Sequence, residues 1–114
     1  MAKISAELMN NLVNMQKSLL ESVNEAKLAE YLLLENFGET DETISSLDEL
    51  TAIALQAAEL HNQISRLLLQ ISEIQPVITP AMLKLLSERV STVKNRVPAL
   101  EQSVEEIKLD WGLQ

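Results

Sequence analysis

The chain has 114 residues, a length suited to one domain, and a formal net charge of −8, which opposes binding to nucleic-acid phosphate. Cysteine is absent, which excludes a disulfide framework and a thiolate zinc site and fits a cytoplasmic protein. Hydrophobic residues make up 46% of the chain against only two Gly, three Pro and three aromatics (Tyr31, Phe37, Trp111), a balance that excludes disorder and favours long helices.

The first predicted helix runs from about Ser5 to Phe37. Its seam is Leu8, Leu12, Met15, Leu19, Ser22, Ala26, Ala29 and Leu33, in alternating steps of four and three that keep one face on one partner. Ser22 is the single polar member, and Val23 beside it covers the gap. Gly38 follows as a left-handed cap. Glu39 to Ser46 reads as an acidic connection with room for one helical turn, since Thr and Ser compete with the helical backbone for hydrogen bonds.

Ser46-Leu47-Asp48-Glu49 matches the capping box, so the second helix is expected from about Leu47 to Gln75. Leu50, Ile53, Ala57, Leu60, Ile64, Leu67, Ile71 and Ile74 form an unbroken heptad seam. Ala54 and Leu68 widen it until it faces two neighbours, as in a bundle. Pro76-Val77-Ile78-Thr79-Pro80 is a tight turn, with Pro76 stopping the helix, Thr79 as N-cap, Pro80 in the first helical position and Ile78 stapled to Leu83. So short a turn makes its two helices antiparallel.

The third helix is expected from Pro80 to about Trp111, ended by Gly112. Its seam of Leu83, Leu86, Val90, Val93, Val97, Leu100, Val104, Ile107 and Trp111 keeps phase on both sides of Pro98, so that proline reads as a kink and not an end. The sum is one all-α domain over residues 1–114, an antiparallel up-down-up three-helix bundle with coiled-coil-like packing and helix 3 kinked at Pro98.

The search for chemistry returns little. The inward positions are almost wholly apolar, and phosphate loops, nucleophile elbows and metal-ligand pairs are missing, so no catalytic residue, metal or cofactor is expected. His61 flanks the seam of the second helix, where phosphotransfer bundles carry a phospho-acceptor. The Lys and Gly that follow such a histidine are replaced here by Ile64 and Ser65, so a boundary histidine is the favoured reading. No apolar run approaches the ~18 residues of a membrane span. Met1 to Glu7 does not lead into the apolar run of a signal peptide. Surface binding to membranes fits poorly with an acidic chain that has few aromatics.

Apolar residues off the seams say more. Met9, Val13, Leu20 and Leu34 form a second stripe on the first helix, and Leu55 and Leu69 lie opposite the seam of the second. A contiguous set of that kind marks an interface, with Met9, Val13, Leu20, Leu55 and Leu69 as its candidate residues. Lys84, Arg89, Lys94 and Arg96 cluster with only Glu88 among them. They read first as a solvated face and second as a docking patch for an acidic partner. The acidic run from Glu35 to Glu49 reads as a solvated loop.

The leading expectation is a non-enzymatic protein–protein interaction module: an adaptor, an assembly factor or a subunit of a helical complex, with a protein partner or a homodimer as its mode. The alternatives are a signalling element that uses His61 as phospho-acceptor and an enzyme whose pocket forms between subunits.

Overall fold

The computed structural model describes residues 6–74 and 79–113. Helix α1 spans Ala6–Phe37, α2 spans Ile44–Ile74 and α3 spans Pro80–Trp111. No strand occurs among the described residues. Each helix is about 48 Å long at 1.5 Å per residue, and the bundle is a rod of 57 × 20 × 18 Å. Its radius of gyration is 17.5 Å, against roughly 13 Å for a compact chain of this length. The core is therefore a long seam.

The interhelical bonds fix the order. Gln16 Nε2 donates to Ser65 Oγ at 2.9 Å, and Thr51 Oγ1 donates to Glu30 at 3.1 Å. These pairs lie two heptads apart on both helices and run in opposite directions, so α1 and α2 are antiparallel. Arg96 Nη2 donates to Gln56 Oε1 across α2 and α3. Lys108 Nζ donates to Glu25 across α1 and α3, which run parallel. The bundle is up-down-up.

The seams are inside, as the heptads require. Leu12, Leu19, Ala26, Ala29 and Leu33 of α1 are buried against Leu50, Ala57, Leu60, Ile64, Leu67 and Ile71 of α2 and against Leu86, Val93, Val97, Leu100, Val104 and Ile107 of α3. Leu8, Met15, Leu83, Val90 and Trp111 are half-buried at the margins and pack on this core. Ala54 is buried and Leu68 half-buried, as the widened stripe of α2 demands for contact with both neighbours. Ser22 is buried and turns its hydroxyl back to the Ser18 carbonyl at 3.1 Å, so the one polar seam residue of α1 is satisfied within its own helix. Helix α3 continues unbroken through Pro98, which is exposed.

The start of α2 differs from the sequence expectation. The helix begins at Ile44, one turn before Leu47, and Ser46 lies inside it instead of capping it. The reciprocal cap forms earlier. Thr40 N–H donates to Thr43 Oγ1 at 2.8 Å, and Thr43 N–H donates to Thr40 Oγ1 at 3.2 Å. Ile44 N–H then makes the first helical bond, to the Thr40 carbonyl. Thr43 falls one heptad before Leu50, in a core position, and is 1% exposed. Its hydroxyl donates to the Gly38 carbonyl at 2.8 Å, tying the end of α1 to the start of α2. Gly38 has φ +73°, a conformation that a β-carbon disfavours, and its N–H closes α1 on the Leu34 carbonyl. The connection is thus shorter than expected and self-bonded, and α1 packs on α2 and α3 of its own chain.

The start of α3 follows expectation. Thr79 Oγ1 accepts from Met82 N–H, and Pro80 opens the helix. At its end Gly112 is left-handed at φ +66°, and Leu113 N–H bonds to the Lys108 carbonyl, the long bond of a Schellman cap. Leu113, just past the cap, is buried. Ser5, Gln75, Pro76 and the Ile78–Leu83 staple lie outside the described residues, wholly or in part.

Candidate interaction faces

The core is complete without several large apolar residues on the outer faces of α1 and α2. Val13, Leu20 and Leu34 share one heptad position on α1, each directly after a buried leucine (Leu12, Leu19, Leu33), and are 51%, 55% and 41% exposed. Leu28 and Tyr31 are exposed on the same side, while Lys27 interrupts the stripe and lies 3.7 Å from Glu30. Met9 differs from the other candidates: it is half-buried and packs on the core. Leu55 and Leu69, two heptads apart on α2, are 66% and 62% exposed.

These faces are polarised in charge. The half of the rod holding the α1–α2 connection, residues 21–59 and 97–113, carries fourteen Asp and Glu against Lys27 and Lys108. The other half, over its described residues, carries Glu7, Glu73 and Glu88 against Lys17, Arg66, Lys84, Arg89, Lys94 and Arg96. One end is strongly acidic and the other mildly basic.

The basic cluster of the sequence is divided by helical geometry. Arg89 and Arg96 lie one heptad apart on the side of α3 that faces α2, where Arg89 borders Gln63, Arg66 and Gln70, and Arg96 bonds Gln56. Lys94 lies on the opposite flank, in a groove against Asn11, Met15 and Ser18 of α1. Lys84 is exposed. Arg66 of α2 shares the groove of Arg89, a neighbour that inspection of α3 alone does not suggest.

At the acidic end, Trp111 Nε1 donates to Ser46 Oγ at 3.0 Å, and its ring lies 5.1 Å from that of Phe37, tilted by 58°. The single tryptophan thereby clasps the ends of all three helices. Lys108 sits 3.2 Å from Glu25 and 3.6 Å from Glu105. The hydrogen bond to Glu25 raises the Lys108 pKa above its ordinary 10.5, with the field of both carboxylates adding to it and partial burial opposing it.

The concave surfaces are open grooves between helices. One, largely apolar, holds about 330 Å³ and is lined by Met82, Leu85, Leu86, Gln70, Glu73 and Arg89. Another, of about 240 Å³, is bordered by Glu21, Glu25, Glu101 and Glu105. No cluster of metal-ligand residues occurs among the described residues. None of their helices is long and apolar enough to cross a membrane. His61 is half-buried at the margin of the α2 seam, and its carbonyl accepts from Ser65 Oγ. Compared with known proteins, the chain matches no family model, no curated protein and no solved structure.

Proposed function

We propose that the protein is a non-enzymatic interaction module of the cytoplasm that binds other protein surfaces, its own second copy included, through the apolar outer faces of α1 and α2. One observation carries the reading: Val13, Leu20, Leu55 and Leu69 are more than half exposed on a bundle whose core is already filled by other residues. Covering the exposed part of each such side chain contributes about 1–2 kcal/mol on association, and nothing in the fold needs them at the surface. The open groove beside Met82, Leu85 and Leu86 is mainly apolar, a surface suited to a partner's side chains.

The test is the double substitution Leu55→Glu with Leu69→Glu. Both side chains point to solvent, so helicity and melting temperature stay near those of the unmodified chain. Mass by light scattering and recovery of co-purifying protein by affinity capture should both fall. Unchanged mass together with unchanged capture refutes the proposal.

A further inference from the structure

We infer that the outer face of α2 pairs antiparallel with the same face of a second copy, about a two-fold axis through Asn62. The inference specifies the self-association contained in the proposed function and rests on that reading. Ala52, Leu55, Glu59, Asn62, Arg66, Leu69 and Glu73 follow one another in steps of three and four, and every one is exposed. They form the strip of α2 that neither neighbour covers. On one side Thr51 and Ser65 bond to α1, and on the other Gln56 bonds to α3.

The strip is self-complementary in one direction only. Counted outward from Asn62, the leucines stand seven residues away on both sides, and Glu59 and Arg66 stand three and four residues away. Antiparallel pairing sets Leu55 against Leu69 of the second copy, and Glu59 within one residue of the second copy's Arg66. Parallel pairing sets Glu59 on Glu59 and Arg66 on Arg66, with like charges opposed. The amide of Asn62 both donates and accepts, so it satisfies its own symmetry mate on the axis. A lone asparagine in such a seam selects register and orientation.

The charge of the whole rod favours the same arrangement. Asn62 lies at the boundary between the acidic and the basic half. A two-fold axis there lays the basic half of each copy along the acidic half of the other, while parallel copies would set the two acidic ends side by side. The strip is about 32 Å long at 1.5 Å per residue. A contact along a single helix face falls at the small end of specific interfaces and gives a reversible, concentration-dependent dimer.

The experiment uses the natural absence of cysteine. Leu55→Cys and Leu69→Cys chains are prepared separately, mixed and oxidised, with helicity checked for each. The expected product is a disulfide between the two variants, while Asn62→Cys couples to itself and Leu55→Cys alone does not. In the antiparallel pair the two copies of residue 55 are about 21 Å apart, beyond the ~7 Å between Cα atoms that a disulfide spans. Self-coupling of Leu55→Cys, or no mixed product, overturns the arrangement. Sedimentation equilibrium of the unmodified chain should rise from 12.7 kDa toward twice that mass with concentration. A mass fixed at one chain overturns the dimer but leaves the module reading standing, because Leu55→Glu with Leu69→Glu then still decides binding to other proteins. Arg66→Glu should weaken the dimer about five- to tenfold, and adding Glu59→Arg should restore it to within about twofold. Failure of that rescue overturns the cross-pair.

Discussion

Replacing Thr43 by valine keeps the shape of a side chain that is 1% exposed and removes only its hydroxyl. That oxygen accepts from Thr40 N–H and donates to the Gly38 carbonyl, both at 2.8 Å. Two bonds worth about 1 kcal/mol each are lost. Thr40 is exposed and Gly38 partly so, which lets water recover part of the desolvation cost. The expected net loss is about 2 kcal/mol. At ~2.1 cal/mol/K per residue the unfolding entropy of this chain is about 240 cal/mol/K, so the melting temperature should drop by roughly 8 °C. Circular dichroism follows the whole bundle, and Trp111, the only tryptophan, reports on the same end through its contacts with Ser46 and Phe37. Thr43→Ser keeps the hydroxyl and loses one buried methyl, about 1 kcal/mol, so it should melt above Thr43→Val. A valine variant as stable as the unmodified chain would refute the view that this hydroxyl ties α1 to α2.

Ser22→Ala should raise stability by about 0.5–1 kcal/mol in urea titration: alanine is the better helix former, and the Ser18 carbonyl keeps its helical partner when the hydroxyl goes. Leu67→Asp places an unpaired carboxylate at a position 3% exposed and should abolish the cooperative thermal transition. A folded Leu67→Asp chain would contradict the α2 seam. Lys108 binds its proton more tightly in the fold than in the unfolded chain, because of Glu25 and Glu105. Its contribution is therefore full below pH 10.5 and is lost as pH rises through the folded-state value. Lys108→Met should flatten the decline of melting temperature in that alkaline window. The effect at neutral pH should be under about 1 kcal/mol, because the pair is partly solvated.

Much of the architecture was legible because its signals are local and repetitive. A heptad of apolar residues with few breakers has one economical packing, and Thr79-Pro80 and Gly112 mark the ends of α3 by chemistry that acts within one turn. The outward stripes of α1 and α2 were legible for the same reason: once the seam is known, periodicity places Val13, Leu20, Leu55 and Leu69 outside it. Met9 borders the seam and is half-buried, because the packed neighbours decide how far such a flank is covered.

The start of α2 was decided by tertiary contacts. Ser46 to Glu49 and Thr40 to Thr43 both carry cap chemistry, and local propensity alone does not rank them. The earlier cap prevails because the added turn carries Thr43 and Leu47 into the core and leaves Ser46 to accept from Trp111, a residue 65 positions away. Leu113 is buried by the same closure of the rod's end. The basic cluster of α3 was likewise divided by helix rotation, with Arg89 set beside Arg66 of α2, Arg96 bonded to Gln56 and Lys94 turned toward α1. Periodicity along a chain determines which face of each helix is apolar. Which polar residues meet across helices depends on axial register, and that is set by the packing of the whole seam.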